Sequence, residues 1–439
     1  MSDSKPKRPF ETESRILPIL IIAWNVIDIG IHYAVHMIEP MRITGNLIGL
    51  VAALFALLGV ARSFAPLALG IAALAVVAVN ASHAMLWGAE AIVAVLIGIS
   101  LAMLVRLAQI RRLVALSPGA KAEDRSRGEW WLNRWVTLPV TGIGLAIIFG
   151  VGSQLEPLGH AYASTEQSDT TPEASLPRVV EGRRAEILSA FFGLDNGLPR
   201  LAENLVRGAT GMDGMPVIFS SEIDLATMQA GDFRVTKASG EAGFVQGATL
   251  APAVDEGEFR TVLLVGEFGT AVEDPPVKVE IVGNVHSIDG RQNFKGAQVD
   301  VTPLADGPTM IFVEVVPQEQ WHAGRRGNQQ AFAGSGAPTT GVKQAIRVVW
   351  AGGVKLENGK EPGDAERSLY RVEVRAPDGS TREVSPIAIA DLHDGDNNHL
   401  LCLDTEDRPV SVSFPAGILV DPNQDLNPET VNEVLDASR

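Results

Sequence analysis

The sequence predicts a multi-domain protein in which an α-helical transmembrane bundle is followed by an all-β region built of sandwiches. Long apolar stretches lie within the first 154 residues, and short runs of alternating apolar and polar residues begin after residue 213. Formal charge divides the chain at a similar place, with +3 over residues 1–160 and −19 over the remaining 279 residues. The 439 residues also exceed the roughly 100 to 200 residues of one typical domain.

Five apolar stretches approach or exceed the ~20 residues that a helix needs to cross a membrane. They cover residues 16–38, 45–61, 65–86, 89–108 and 134–154. The second stretch is short, and the turn around Trp87 and Gly88 is tight, so four spans are the alternative to five. The first stretch is longer than the apolar part of a signal peptide, and no small-residue cleavage site follows it. We therefore expect it to remain in the mature protein.

Positive residues predict the orientation of this bundle. Lys and Arg concentrate in the N-terminal tail, in the second loop and in the long loop before the last stretch, whereas the intervening loops contain only Arg42. With five spans, all positive loops fall on one side, and positive loops are retained in the cytoplasm. The N-terminus is therefore predicted to be cytoplasmic and residues 155–439 to be periplasmic or extracellular, with the lipid bilayer as a partner of the bundle.

Polar side chains follow one face of the first predicted helix, and a similar stripe recurs on the third. Neighbouring members are three or four residues apart, which keeps the first stripe within about 80° of the helix surface. The first stripe consists of Asn25, Asp28, His32, His36 and Glu39, and the second of Asn80, His83, Trp87 and Glu90. Both stripes end near the outer side of the membrane, so they are predicted to meet there.

The two stripes raise a functional hypothesis, because ionisable groups inside a bilayer are costly and usually face a partner or a cavity. Two imidazoles four residues apart, with a third ligand from another helix, suit a transition metal or, more rarely, haem. The candidate metal or proton-handling residues are His32, His36, His83, Glu39 and Glu90, with Asn25, Asp28 and Asn80 as a supporting polar stripe. In the alternative interpretation, these groups only make hydrogen bonds between helices or reach interfacial water.

About 110 N-terminal residues resemble small, uncharacterised bacterial membrane proteins with several spans. The shared pattern reads DxxxHxxxxxxEPLRxxGN. Its counterparts here are Asp28, His32, Glu39-Pro40-Met41-Arg42 and Gly45-Asn46. The resemblance implies a bacterial origin, and hence the cytoplasmic (inner) membrane, but it supplies no activity.

Composition changes again after residue 154. Residues 155–182 are rich in Ser, Thr, Pro, Glu and Gln and lack apolar periodicity, which predicts an extended linker outside the cytoplasm. Residues 183–212 contain two short amphipathic helical patterns, interrupted between Gly193 and Pro199. This segment is predicted to pack on the β region or to rest at the membrane surface, and a partner-binding helix pair is the alternative.

Short runs of β type follow, separated by Gly, Pro, Asp and Asn. Many short strands with turn signals predict antiparallel sandwiches. The length of the region favours two in tandem, although only the first has a sequence signature. The predicted divisions are a sandwich over 213–320, a Gly-rich linker over 321–345 and a second β domain over 346–439.

Residues 217–236 resemble the bacterial Ig-like repeats of surface-layer and other envelope proteins. A strand ends in Phe219-Ser220 and is followed by Glu222. The sequence from Asp224 to Val235 then matches the family turn DxxTLxAxDFxV, with Met228 where Leu is usual. The resemblance implies an Ig-like sandwich that serves as a structural or adhesive module.

Two acidic loops carry residues of the kind that bind calcium. Oxygen-bearing residues alternate along both loops, as they do where a chain wraps around Ca²⁺. The candidates are Asp421, Asn423, Asp425, Asn427 and Glu429 in one loop, and Asp394, Asp396 and Asn398 in the other. Neither loop fits an EF-hand, because position 6 is not Gly and the Glu of position 12 is missing. The same residue types also form ordinary turns.

Enzyme motifs are missing from the sequence. It contains no GxSxG, Walker A or HExxH motif, no GxGxxG after a strand, and SxxK only in the N-terminal tail at residues 2–7. Its single cysteine, Cys402, excludes an internal disulfide framework, and its apolar neighbours indicate a buried residue. The acidic balance argues against nucleic acid as a partner.

The sequence therefore predicts a non-enzymatic bacterial integral membrane protein. Its acidic Ig-like region is displayed outside the membrane for binding or structural positioning, with an envelope protein or polymer as the candidate partner. Calcium is the candidate ligand of this outer region. The alternative is a membrane protein that binds a transition metal or haem, or handles protons, through the His/Glu cluster.

Overall fold

The computed structural model describes residues 11–34, 40–58, 65–87, 91–115, 130–154, 158–172, 176–321 and 334–435. The chain divides into two compact units, Met1–Pro157 and Leu158–Arg439. We call them the helical unit and the β unit.

The helical unit contains five long helices within its described residues. They are α1 (Glu11–Ala34), α2 (Pro40–Leu58), α3 (Ala65–Trp87), α4 (Ala91–Ala115) and α5 (Thr137–Gln154). Helix α1 packs against α2 and α4, and α3 packs against α2, α4 and α5. Ile21, Ala53, Leu69 and Leu104 are among the buried residues of their shared core. The prediction of helices in the first 154 residues is confirmed, with ends displaced by several residues.

The outer surface of the helical unit is strongly apolar. Leu58, Leu67 and Leu74 are exposed to 66%, 65% and 70%, and most of the exposed large apolar side chains of the described chain belong to this unit. Its interior, by contrast, contains buried Asn25 and Asn80. A helix on the surface of a water-soluble domain has the opposite pattern, with its apolar side facing the core.

One helical stretch in the described residues, Ala94–Val114, is long and apolar enough to cross a membrane. The segments Ile43–Leu58, Pro66–Ser82 and Arg134–Ile148 are apolar but shorter, and they fall below the ~20 residues that a span requires. The predicted number of five membrane spans is therefore not supported by helix length and composition.

The β unit begins with ten strands. They are β1 (Ala163–Ser164), β2 (Val179–Val180), β3 (Arg183–Arg184), β4 (Ile187–Phe191), β5 (Asp213–Phe219), β6 (Phe233–Lys237), β7 (Phe244–Thr249), β8 (Thr261–Glu267), β9 (Pro276–Ile281) and β10 (Gln298–Thr302). Eight of them form one sheet in the order β1-β7-β8-β5-β4-β10-β9-β6, and β2 pairs with β3. Only the β4–β10 pair in this sheet is parallel. Phe219 of β5 meets Phe233 of β6 edge to face at 6.4 Å, so distant strands of the sheet share one core.

Eight more strands form a two-layer sandwich. They are β11 (Met310–Val316), β12 (Gln344–Trp350), β13 (Arg371–Arg375), β14 (Thr381–Val384), β15 (Ala388–Ala390), β16 (Asn398–Leu403), β17 (Arg408–Phe414) and β18 (Thr430–Glu433), and the short helix α6 (Asp364–Arg367) precedes β13. The sheets have the orders β11-β12-β16-β15 and β14-β13-β17-β18. Both contribute to a core in which Trp350 Nε1 donates to the Tyr370 hydroxyl at 3.0 Å. The prediction of a β-rich C-terminal region with several sheets is confirmed.

Three finer predictions differ from the structure. Within the predicted linker 155–182, β1 pairs with β7 and Asp169 accepts hydrogen bonds from Asn284, so this part of the segment is packed. Within 183–212, β3, β4 and one 3₁₀ turn replace the predicted amphipathic helices, because a short apolar run fits a buried strand as well as a helix. The predicted boundary at residue 320 falls after β11, although β11 pairs with β12 of the sandwich.

The predicted Gly-rich linker, residues 321–345, is only partly covered by the structure. Residues 322–333 lie outside the described part of the chain. Strand β12 already begins at Gln344, and Ala337 is buried in a small apolar cluster with Trp321. The described C-terminal part of this segment therefore packs against the sandwich.

Candidate functional site

Three aspartates converge in the β unit. Asp255 lies between β7 and β8, and Asp391 and Asp394 follow β15. Each offers a carboxylate oxygen, and these oxygens all lie within 4.8 Å of one another. We call Asp255, Asp391 and Asp394 the aspartate cluster. Residues more than 130 positions apart in the chain thus form one local group of negative charges.

The aspartate cluster is largely removed from water. Asp255 and Asp391 are 3% and 2% exposed. Asp255 accepts the Gly334 amide at 2.9 Å, and Asp394 Oδ1 accepts the Asp396 amide at 3.3 Å. The Oδ1 atom of Asp391 and the Oδ2 atom of Asp394 have no hydrogen-bond partner within the described residues.

Further carboxyl groups surround the cluster. Glu258 is 1% exposed, and its Oε1 atom has no hydrogen-bond partner among the described residues. Burial, followed by the negative charges of Asp391 and Asp396, raises the pKa of Glu258 well above its usual value. Burial, and then the charge of Asp391, raises the pKa of Asp394 to about 8. Each ionised carboxylate here raises the pKa of the carboxyl groups beside it. The buried site therefore disfavours the ionisation of several of them at once.

A buried arginine fixes the turn that carries Asp255 and Glu258. Arg347 of β12 is 1% exposed and donates to the carbonyl oxygens of Gly257 at 2.7 Å and Glu256 at 2.9 Å. Arg347 also lies 3.4 Å from Glu314. Because its guanidinium is shared between these carbonyls and Glu314, it neutralises the aspartate cluster only in part.

Gly334 lies where a side chain would enter the aspartate cluster. A Cβ atom at this position would lie 2.4 Å from Asp391 Oδ1 and 2.5 Å from Asp394 Oδ2. These are the two oxygens without a described donor. A residue with a side chain therefore does not fit at position 334 without displacing these two oxygens.

The predicted calcium residues have different positions in the structure. Asp394 belongs to the aspartate cluster. Asp396 instead accepts the backbone amide of Asn398 at 2.8 Å and its side-chain amide at 2.7 Å. This pair therefore stabilises the turn before β16, a role that turn-forming Asp and Asn commonly have.

In the second predicted loop, polar groups bind one another. Asp421 Oδ1 accepts the Asp425 amide at 2.9 Å, and Asn423 donates to Asp425 at 2.7 Å. Buried Asn427 accepts the amides of Ile418 and Leu419 and donates to the carbonyls of Pro415 and Pro428. Glu429 is exposed. Most of these side chains therefore serve the local fold of the loop.

Sequence reasoning missed Asp255, Asp391, Glu258 and Gly334. Their proximity depends on long-range packing between the first sheet and the sandwich, which leaves no local spacing to recognise. One local signal was present, since Asp391 precedes Asp394 and Asp396 in a short acidic run.

The polar stripes of the helical unit are described only in part. Asn25 and Asn80 line the same small cavity of about 10 Å³, so the inner ends of the two predicted stripes do meet. Asn46 of α2 donates to the buried carboxylate of Asp28 at 2.8 Å, as the interhelical interpretation expects. Positions 32 and 83 lie in α1 and α3, but the side chains of His32 and His83 are outside the described part of the structure. Residues His36, Glu39 and Glu90 lie outside the described residues altogether.

The β unit also has an open cleft of about 730 Å³. Leu188, Ile311 and Phe312 contribute apolar lining. Ile288 and Leu435 also line it, although they are 51% and 54% exposed. Charged residues of both signs complete the lining, among them Arg183, Arg184, Arg291, Asp289 and Glu433. The cleft combines exposed apolar area with charged residues, as binding surfaces do.

No family model matches the chain, and neither a curated protein nor a solved structure matches it. The resemblance of residues 217–236 to Ig-like repeats and that of the N-terminal region to bacterial membrane proteins therefore stay predictions. Function has to be argued from the geometry of the two units.

Proposed function

We propose that this chain is a bacterial membrane protein that anchors its β unit outside the cytoplasmic membrane, where the β unit binds or positions an envelope protein or polymer without catalysis. The observation that carries the proposal is the inverted polarity of the helical unit. Apolar side chains such as Leu58, Leu67 and Leu74 are exposed, and Asn25 and Asp28 are buried.

An apolar outer surface is unfavourable in water. Each large aliphatic side chain gains about 1.5 to 3 kcal/mol when it is removed from water, and the exposed ones here occur on all five helices. Exposed apolar surface of this kind is typical of a membrane or protein contact. A lipid environment would accommodate the exposed apolar side chains of all five helices, including those of helices shorter than a full span.

One end of the helical unit has the residues of a membrane–water interface. Arg106 of α4 contacts Glu13 of α1 at 2.7 Å. The exposed rings of Trp130 and Trp135 precede α5, and the Arg134 guanidinium lies 5.4 Å from the Trp135 ring centre. Tryptophan is enriched at both boundaries of membrane proteins, and basic residues are enriched at the cytoplasmic one. This grouping supports the predicted cytoplasmic side.

The cleft is the proposed contact surface of the β unit. Its exposed Ile288 and Leu435 offer apolar area, and its charges of both signs offer orientation. To test binding, we would place a photo-crosslinking amino acid at position 288 in cells and place the same group at Val272, which is 91% exposed and is not among the residues that line the cleft.

A discrete adduct with one envelope component is expected from position 288, and none from position 272. The adduct at 288 should also weaken when Leu435→Glu is introduced, because a buried carboxylate opposes apolar contact. Equal crosslinking from both positions would mean that the cleft has no preferred partner, and it would contradict the proposed role of the β unit.

A second candidate function rests on Asp28, which is 3% exposed within the helical unit. Ionisable residues inside a membrane often mark proton or ion pathways. Metal or haem binding through His32, His36 and His83 would appear as stoichiometric metal or as visible absorption in the purified chain, and would be lost on their replacement by Ala. Metal-free, colourless protein would exclude metal and haem binding and leave only proton or ion handling as the alternative to anchoring.

A further inference from the structure

Acidic groups are buried together at the aspartate cluster. Asp391 and Glu258 are both more than nine-tenths buried, and each has one oxygen without a hydrogen-bond donor in the described structure. Like charges in a buried site repel more strongly than in water, because the effective dielectric constant is lower. A cation bound at these oxygens would therefore stabilise the folded protein.

The geometry points to a cation. Calcium binds oxygen ligands at ~2.3 to 2.6 Å, so two ligands of one ion are up to ~5 Å apart. The carboxylate oxygens of the aspartate cluster lie within 4.8 Å of one another. We propose that Asp255, Asp391 and Asp394 bind one Ca²⁺ ion, beside the buried carboxyl group of Glu258, which accepts the Asp255 amide.

The donor set favours calcium over other metals. All three ligands are carboxylates, whereas zinc and copper sites in proteins usually include His or Cys. Magnesium keeps several water molecules and typically takes one or two carboxylates, whereas calcium accepts several carboxylates in a flexible arrangement. Three converging carboxylates beside a fourth acidic group therefore select a large, hard divalent ion.

Gly334 packs directly against the oxygens that would hold the ion. The two oxygens without donors, Asp391 Oδ1 and Asp394 Oδ2, are those that a side chain at position 334 would approach. Glycine leaves this point free of side-chain atoms and at the same time donates its amide to Asp255. A methyl group at position 334 would compete with the ion for the same oxygens.

Binding here would tie two parts of the β unit together. Asp255 belongs to the turn between two strands of the eight-stranded sheet, whereas Asp391 and Asp394 follow a strand of the sandwich. One ion would thus clamp the sheet to the sandwich. The inference concerns the β unit alone and stands whether or not the chain proves to be a membrane protein.

The experiment uses the full chain, purified in mild detergent and freed of metal with a chelator. Titration with CaCl₂ is followed by calorimetry, and thermal unfolding is recorded with and without the salt. One binding event per chain and a raised melting temperature are expected, with a weaker response to MgCl₂ at equal concentration. No heat and no thermal shift with millimolar CaCl₂ would overturn the proposal.

Matched variants locate the site. Asp394→Asn should weaken CaCl₂ binding at least tenfold, and Gly334→Ala should weaken it through steric competition. Asp425→Asn, in the other acidic loop, should bind as the unchanged chain does. Loss of binding in Asp425→Asn with retention in Asp394→Asn would place calcium in the loop 421–429 and overturn the proposal.

A further pair of measurements separates a cation from protons and covers the case of a variant that fails to fold. The near-ultraviolet circular dichroism of each variant without metal reports whether its β unit is folded. If protons alone neutralise the site, Asp391→Asn should be more stable than the unchanged chain at every CaCl₂ concentration. If calcium binds, the unchanged chain should become the more stable protein once CaCl₂ is saturating.

Discussion

The helical unit and the β unit use buried polarity differently. In the helical unit, buried Asn46 donates to Asp28, and buried Gln109 donates to the carbonyl of Trp131, so polar groups join one helix or segment to another. In the β unit, buried carboxylates of the aspartate cluster face one another, and some of their oxygens have no described donor. Buried polar side chains thus connect helices in the helical unit, whereas in the β unit buried carboxylates converge at the proposed calcium site.

The outer surfaces of the two units differ in polarity. Exposed large apolar residues are concentrated in the helical unit, whereas most large apolar residues of the β unit are buried in its core. This difference between the surfaces supports the proposed membrane setting of the helical unit. Variants made in matched pairs, one in each unit, test it.

The largest effect is expected for Arg347→Ala. The side chain is fully buried and holds the turn 256–258, so its loss leaves Glu314 without this cation and Glu258 beside acidic groups alone. Removing one member of a buried ionic network typically costs about 3 to 5 kcal/mol. Chemical unfolding should show this loss, whereas Arg371→Ala, which removes an exposed pair with Glu383, should change stability little. Equal effects of the two variants would show that burial does not decide the strength of these contacts.

The second largest effect is expected when a charge is placed on the apolar surface of the helical unit, compared with the same change on the surface of the β unit. Leu74→Lys puts a charge on the exposed apolar side of α3, and a charge at the centre of a membrane helix costs about 2.5 to 3.5 kcal/mol. Its yield in the membrane fraction should fall severely. Val272→Lys, at a 91% exposed position of the β unit, should leave the yield unchanged. If both variants accumulate normally, the outer face of α3 is not in lipid.

A pH effect is expected from the core of the sandwich. Burial lowers the pKa of His399 from 6.5 to about 4, so folding favours the neutral ring. Above pH 6.5 the ring is neutral in both the folded and the unfolded chain, so its pKa shift does not change stability. As pH falls from 6.5 towards 4, the free energy of unfolding decreases, by about 2 kcal/mol at pH 5. His399→Gln should flatten this part of the stability profile in chemical unfolding at pH 7 and pH 5. An identical profile in the variant would mean that His399 takes up its proton without unfolding.

The smallest effect concerns the contact between α1 and α2. A Cβ atom at Gly49 would lie 3.0 Å from the Asn25 amide nitrogen, so Gly49→Ala should push the helices apart and cost about 1 kcal/mol. Gly70→Ala has no atom within 4 Å of the new carbon and should be neutral or slightly stabilising. Unfolding of the helical unit in detergent of increasing strength measures the difference. A more stable Gly49→Ala would show that the Asn25 contact is loose.

Local patterns predicted much of the fold and little of the site. Long apolar stretches located all five helices, and alternating runs located strands such as β5, β8, β12 and β17, because both signals depend on neighbouring residues. Residues 187–191 were misread as helix since a short apolar run has no decisive period. The aspartate cluster was not predicted, because Asp255 and Asp391 meet only through the packing of the sheet against the sandwich.

The predicted calcium loops show the same limit. Spacing correctly drew attention to Asp394, but it could not separate that residue from Asp396, whose carboxylate is bound by Asn398. In the helical unit, spacing placed Asn25 and Asn80 on facing stripes, and both do line one cavity. Sequence therefore identified candidate polar residues, and the structure was needed to show which of their oxygens already have partners.

The central claim is that the β unit lies outside the cytoplasmic membrane, and labelling of intact spheroplasts tests it most directly. The native Cys402 is fully buried, so it contributes little background. Val272→Cys should react with a membrane-impermeant maleimide before lysis, and Arg125→Cys, in the loop predicted to be cytoplasmic, should react only after lysis. Labelling of Val272→Cys only after lysis would contradict the external location, and with it the proposed role of the β unit in the envelope.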